Sequence, residues 1–349
     1  MRIILVGAGF WGAGWAQAVC ESRDAELVAI ADLDERARTI AADSVGLDVD
    51  RRYPSLYAAL GDGAGADTAL IVVPPEHHAA VAATALEGGL HCLVEKPFAP
   101  TMKEARDLVR CAADAGRELM VTQSFRFKRG PQTVKHLIER GTIGDIEAVY
   151  VRFMNAPPFT GFRTEMAEPL IVDMAIHHFD FIRGVLGLEP STVWASSFNP
   201  SWSRFQGNAS AVAKFATPEG ATVVYTGSWS SRGPATSWDG DWDIQGTRGA
   251  LKWSKNRVRF FPSEFGDAVF YRGALQRGGD VLDIPLVKLA SEERLGTLAE
   301  FSSALAEGRR PQAHGEDNLR TLALVLGAVE SASTGNLVDL REAPYRTGS

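Results

Sequence analysis

The sequence predicts an α/β protein in which an N-terminal doubly wound parallel sheet precedes an α+β domain with a large, open, mainly antiparallel sheet. Three observations predict it. Residues 1–122 alternate short β-branched runs with helix-patterned stretches, the rhythm of strand–helix–strand units. After Gln123 that rhythm gives way to repeated strands joined by short Gly- or Pro-containing turns, as antiparallel neighbours are. The 349 residues, 45% hydrophobic and 23% charged, have a globular composition and suffice for two domains, which the pattern places at 1–122 and 123–340.

In the first domain, strands are expected at 3–6, 26–31, 68–73, 91–95 and 119–122. Helices fall near 11–22, 34–45, 76–88 and 101–115, the last opened by a Thr101…Glu104 capping box. The second domain begins with a helix near 131–140 and a strand at 146–154, followed by a long loop at 155–170 and a helix over 171–186. Six strands follow, at roughly 191–198, 209–216, 221–229, 241–246, 249–253 and 256–261. Helical patterns return at 291–307 and 316–334, and residues 345–349 read as a disordered tail.

The net charge of −7 disfavours a nucleic-acid or anionic-membrane partner and leaves small molecules or other copies of the chain. Cys20, Cys92 and Cys111 are odd in number and lack metal-ligand spacing, so they read as free, buried thiols in a reducing compartment. Met1 runs directly into an apolar strand with no secretory pattern, and no apolar stretch reaches membrane-spanning length. A cytoplasmic protein is expected.

Gly7-Ala8-Gly9-Phe10-Trp11-Gly12 follows the first strand and opens the first helix. In that context the first two glycines permit a tight turn and close approach to a pyrophosphate. The third lets helix and strand pack, and the helix N-terminus offers unpaired N–H groups to the anion. Asp32 ends the second strand, where a carboxylate accepts hydrogen bonds from the adenosine ribose hydroxyls. A 2′-phosphate beside it would meet repulsion of about 1–4 kcal/mol per charge pair near 4 Å. NAD is therefore expected over NADP, and Leu33 and Asp34 add no cation, although Arg36 and Arg38 follow on the next helix. The alternative is a glycine turn of another α/β domain, with Asp32 as a helix cap.

Ligands in open α/β sheets gather at the carboxyl ends of the strands. Here those ends also carry Val73-Pro74-Pro75 and Glu95-Lys96-Pro97. The Lys96 ammonium can donate to a substrate hydroxyl or exchange a proton. Asp173, His177 and Asp180 are spaced i, i+4, i+7 on one face of the 171–186 helix, which is otherwise apolar nearly all round. A buried carboxylate that fixes one imidazole nitrogen leaves the other to accept a proton; the competing reading is a satisfied polar cluster. Metal binding by Asp173, His177 and His178 is discounted, because the two histidines diverge on the helix and no third strong ligand is indicated.

The glycine motif, Glu95-Lys96-Pro97 and Asp173-Met174-Ala175-Ile176-His177-His178-Phe179-Asp180 together resemble the Gfo/Idh/MocA oxidoreductases. Pro74…His78, the Arg126-Phe127 segment, Gly141-Thr142-Ile143-Gly144 and Ile244-Gln245-Gly246-Thr247-Arg248-Gly249 extend the likeness across nearly the whole chain. The resemblance implies a Rossmann domain, a second domain whose sheet mediates homodimer or homotetramer contacts, and NAD(P)-dependent chemistry on sugars, inositols and related polyols. It makes Lys96 the catalytic lysine and Asp173 with His177 an acid/base pair. Gly7, Gly9, Phe10, Trp11, Gly12, Asp32, Val73, Pro74, His78 and Glu95 become the expected cofactor contacts. Ala175 stands where the family commonly has glycine, and His178 is an extra polar residue.

The expected reaction is oxidation of a secondary hydroxyl of a sugar, glycoside or cyclitol, or the reverse reduction. His177, oriented by Asp173, takes the proton while Lys96 stabilises the reacting oxygen. Arg126, Asn155, Arg163 and His178 are the substrate-contact candidates; the 155–170 loop is too long to be a mere connection. Two other readings are NAD-assisted glycoside cleavage through transient oxidation and a non-catalytic dinucleotide sensor or scaffold.

Overall fold

The computed structural model describes residues 1–262, 269–271, 274–276 and 281–347. Residues 348–349 of the expected disordered tail lie outside the described residues. The chain forms two compact units: Met1–Phe127 with Ala290–Leu322, and Lys128–Leu289 with Ala323–Ser349. Each is taken separately.

The first unit contains β1 (Arg2–Val6), α1 (Phe10–Glu21), β2 (Glu26–Ala31), α2 (Glu35–Ser44), β3 (Arg52–Tyr53), α3 (Leu56–Gly61) and β4 (Thr68–Ile71). After them come α4 (Pro75–Glu87), β5 (His91–Val94), α5 (Met102–Asp114) and β6 (Leu119–Val121). All six strands are parallel, in the order β3-β2-β1-β4-β5-β6, the Rossmann arrangement whose order reverses beside β1. Strands such as Thr68–Ile71 are buried throughout, as a parallel sheet covered on both faces demands. The N-cap half of the expected capping box is present, Thr101 Oγ1 accepting from Glu104 N at 3.2 Å, but the Glu104 carboxylate accepts from the Thr101 hydroxyl at 2.7 Å rather than from its main-chain N–H.

A helix late in the chain, α9 (Glu293–Glu307), belongs to this unit. Its Leu298 and Phe301 join Trp15, Leu5, Leu93, Met120 and Phe127 in one buried cluster. A boundary drawn at 123 therefore divides a core that the chain completes only after residue 290.

The second unit opens with α6 (Arg129–Glu139), β7 (Ile146–Met154) and α7 (Phe162–Glu165). A π-helical segment, Leu170–Ala175, then runs into α8 (Ile176–Gly184). The strands are β8 (Thr192–Phe198), β9 (Ser210–Ala216), β10 (Thr222–Ser228), β11 (Asp241–Gly246), β12 (Gly249–Ser254), β13 (Arg257–Pro262), β14 (Val269–Tyr271), β15 (Ala274–Gln276), β16 (Leu282–Ile284) and β17 (Val338–Asp339). The large sheet has the order β16-β13-β12-β11-β7-β10-β9-β8-β17 and is antiparallel except where β7 pairs with β10. β14 and β15 pair separately. The last helix, α10 (Gly315–Thr334), is divided between the units.

One face of this sheet carries an aromatic layer: Phe179 meets Phe215 at 4.7 Å, Phe181 meets Trp253 at 5.4 Å, and Trp242 stacks on Trp253. The opposite face is open. Along one register row it exposes Tyr150 and Trp194 through the pairs Tyr150–Val224, Val224–Lys214 and Lys214–Trp194. Among the described residues no helix is long and apolar enough to cross a membrane. Two expectations fail here. Tyr345 is buried, its hydroxyl donating to Glu330 at 2.5 Å, so the chain is packed at least that far. Cys20 is exposed and Cys111 half-buried; only Cys92 is a core thiol.

Candidate active site

The turn after β1 has the geometry of an anion cradle. Gly7 has φ +98°, and a Cβ there would lie 2.7 Å from the Val72 main chain, so only glycine fits. A Cβ on Gly12 would sit 2.0 Å from the Gly7 carbonyl oxygen, so α1 packs against the turn at backbone contact. Around Gly9, by contrast, a Cβ would meet nothing within 4 Å. That open space lies before the first turn of α1, where unpaired N–H groups favour a phosphate. The chain's residues thus fit a dinucleotide pyrophosphate. Phe10 and Trp11 flank the space, exposed and packed edge to face at 5.8 Å.

Asp32, at the end of β2, accepts from Ala8 N at 2.5 Å and Asp34 N at 2.8 Å. It therefore ties the β2 end to the glycine turn, and each oxygen retains lone-pair capacity for a further donor. Asp34, not Asp32, caps α2 by accepting from Arg36 N and Ala37 N. Arg38 does bend back, donating to the Asp32 carbonyl at 2.5 Å.

Lys96 stands just beyond β5, half-buried, in a loop braced from both sides. The Glu95 carboxylate accepts from Lys96 N at 3.0 Å and from Trp15 Nε1 at 2.7 Å. It links the lysine's main chain to α1, a use that differs from the cofactor contact expected of it. Arg294 lies over Trp11 and Trp15, 5.2 and 5.4 Å from their ring centroids. His78 is 1% exposed, with its two ring nitrogens 2.8 Å from the Val73 carbonyl and 2.9 Å from that of Pro97. Burial holds its pKa below the usual value, against the two carbonyls. His78 is thus a brace between the β4 and β5 end loops, with both ring nitrogens facing main-chain carbonyls. Val73 and Pro74, half-buried and exposed, remain at the open end of β4.

In the second unit, Asp173 lies in the π-helical segment and His177 in the first turn of α8. A widened turn replaces the uniform α-helix on which the i, i+4, i+7 reading rested; such turns frequently accompany functional sites. Arg163 Nε donates to Asp173 Oδ2 at 2.6 Å, with both side chains largely buried. The guanidinium also lies over Phe159 and Phe162. Phe159 in turn packs on Trp229 and Trp238. The 155–170 loop is therefore fastened to Asp173 by a charge-assisted bond, and Arg163 is a carboxylate partner. His177 is 8% exposed and Asp180 1%.

Residues 1–123 match the model of an oxidoreductase family with an NAD-binding Rossmann fold, and residues 132–252 match the Gfo/Idh/MocA C-terminal domain. The chain belongs to the Gfo/Idh/MocA oxidoreductase family. Similar relatives include a D-apiose dehydrogenase of Rhizobium rhizogenes, 29% identical over 96% of each chain. An inositol 2-dehydrogenase of Rhizobium meliloti is 27% identical, covering 95% of this chain and 97% of the relative. Among solved structures, an oxidoreductase from Agrobacterium radiobacter in complex with NAD+, L-tartaric acid and magnesium superposes with a TM-score of 0.84. It is 26% identical, with 97% of this chain and 98% of that one covered.

In this Gfo/Idh/MocA member, two further substrate-contact candidates turn out to be structural. Arg126 is 4% exposed and donates to the Gln312 carbonyl at 3.1 Å and Asp317 at 3.3 Å, tying the segment after β6 to the start of α10. His178 is fully buried, Nδ1 lying 3.2 Å from the Tyr225 hydroxyl and Nε2 2.9 Å from the Trp238 carbonyl. Asn155 is half-buried, its side-chain oxygen accepting from Ala156 N at 2.9 Å. Spacing set His177 on the Asp173 face and His178 off it, but it could not show that His178 is enclosed between Tyr225 and Trp238.

Burial pushes the His178 imidazole down to about 4, and the nearby Lys128 charge adds to this against the Trp238 carbonyl. Lys128 is itself paired with Asp239 at 2.8 Å. An unfolded histidine titrates near 6.5, so between that value and about 4 the unfolded chain binds a proton that the folded chain excludes. Stability therefore falls as pH drops through this window, by on the order of 2–3 kcal/mol. His178→Gln is expected to lose less stability than the wild type between neutral pH and the lower end of the window. Urea unfolding at a series of pH values measures it, and identical pH slopes would refute the assignment.

Proposed function

We propose that the chain catalyses NAD-dependent oxidation of a secondary hydroxyl of a sugar, glycoside or cyclitol to a ketone, or the reverse reduction. The observation that carries this reading is the position of Lys96, braced at the carboxyl end of β5 on the same sheet edge as the glycine cradle and Asp32. The names of the apiose and inositol dehydrogenases support the substrate class. Bound NAD supplies the acceptor for the carbinol hydride. Lys96 donates to the reacting oxygen and stabilises its developing negative charge. His177 takes the hydroxyl proton, with Asp173 as its positioning carboxylate. The Asp32 carboxylate favours the unphosphorylated ribose of NAD by charge repulsion; Arg38, at the same edge, is engaged by the Asp32 carbonyl.

A panel of sugars, sugar acids and cyclitols, assayed at 340 nm with NAD and with NADP, tests this reading. The expected result is net NADH formation with at least one polyol and kcat/KM about tenfold or more in favour of NAD. Dinucleotide binding without turnover across the panel would remove the dehydrogenase assignment.

A further inference from the structure

We propose that Gln123 recognises the carboxamide of the bound nicotinamide ring. This rests on the dinucleotide reading above and adds to it the group that orients the reactive end. Gln123 lies just past β6 and is 1% exposed, yet neither its side-chain oxygen nor its nitrogen finds a hydrogen-bond partner among the described residues. The adjacent Thr122 hydroxyl is equally buried and also lacks one.

The main chain here is committed. Thr122 N donates to the Val94 carbonyl at 2.9 Å, setting the turn directly beside Glu95 and Lys96. Gln123 N donates to the Val121 carbonyl at 2.8 Å, and its own carbonyl accepts from Arg126 N at 3.0 Å. The amide thus belongs to a fixed turn at the strand ends that carry Lys96.

A buried primary amide without partners is costly, because both a donor and an acceptor have left water. Its complement must present an acceptor and a donor together. A phosphate or carboxylate offers acceptors only, whereas a carboxamide offers both and pairs with a second amide reciprocally. The position selects the same group. A dinucleotide spans the sheet from the β1–β2 half, where Asp32 serves the adenosine, to the β4–β6 half. The nicotinamide ring therefore belongs before the ends of β4, β5 and β6, where Lys96 and Gln123 stand.

The test is a set of equilibrium titrations, followed by calorimetry, of the wild type and Gln123→Leu with NADH, ADP-ribose and the reduced 3-acetylpyridine analogue of NADH. In the analogue a methyl group replaces the carboxamide nitrogen; ADP-ribose lacks the ring. The wild type should bind NADH about tenfold more tightly than the analogue. Gln123→Leu should bind NADH about tenfold more weakly, lose that preference and bind ADP-ribose unchanged. Without ligand the variant should melt at or above the wild-type temperature, since no protein partner is forfeited. Equal wild-type affinity for NADH and the analogue would overturn the proposal without any variant. So would equal losses for NADH and ADP-ribose in Gln123→Leu. If the wild type bound none of the three ligands, the dinucleotide reading itself would fall, and this proposal with it.

Discussion

Lys96→Met should lower kcat by about 10²–10⁴-fold while changing NADH affinity by no more than about twofold. Methionine keeps most of the apolar stem and removes only the ammonium, so the loop should survive the substitution. The loop's main chain is held through Lys96 N by Glu95, through Glu95 by Trp15, and through the Pro97 carbonyl by His78. The loss should therefore fall on the reacting oxygen. Steady-state kinetics with a productive polyol, alongside fluorescence titration of NADH, separates the two effects. A variant within tenfold of wild-type kcat would exclude Lys96 as the charge-stabilising group; a matching loss of NADH affinity would make it a cofactor-site residue instead.

Much of the first unit was legible because local chemistry and tertiary context agree there. Runs such as Ile3-Ile4-Leu5-Val6 suit a strand buried on both faces. The Gly7, Gly9 and Gly12 pattern corresponds to three separate steric demands. β3, only two residues long, is too short to produce a periodic signal. The recruitment of Leu298 and Phe301 into the core around Trp15 was illegible for a different reason. An apolar helix face shows that it must be covered, not by which distant segment.

The second unit illustrates the same limit at its polar residues. The strand expected at 146–154 is β7, whose residues alternate between buried and more exposed positions. The residues 171–186 gave an apolar helix, but spacing alone could not reveal the π-helical start at Leu170. Nor could it rank the polar groups. Arg126, Arg163 and His178 each carry chemistry suited to a substrate, and each has a protein partner supplied by a residue distant in sequence or by a neighbouring loop. Glu95 was singled out for its motif, while its bond to Trp15 required the packing of α1 against the β5 end.

His177→Gln is the second substitution expected to abolish most turnover, by about 10²–10⁴-fold in kcat. Glutamine retains polarity in a site only 8% exposed but cannot accept and carry a proton at neutral pH. The role requires more than lost rate: in the wild type, kcat/KM for alcohol oxidation should rise with pH as the base is deprotonated, and the variant should lack that limb. Asp173→Asn should act through the histidine, lowering kcat with little change in KM. Because Arg163 Nε donates to Asp173 Oδ2, the substitution also leaves the guanidinium facing a neutral amide, so unfolding must be measured beside kinetics. If His177→Gln keeps an unaltered pH profile, or more than about a tenth of wild-type kcat, proton abstraction by His177 is excluded. The Asp173 and Arg163 pair would then stand as a loop fastening alone.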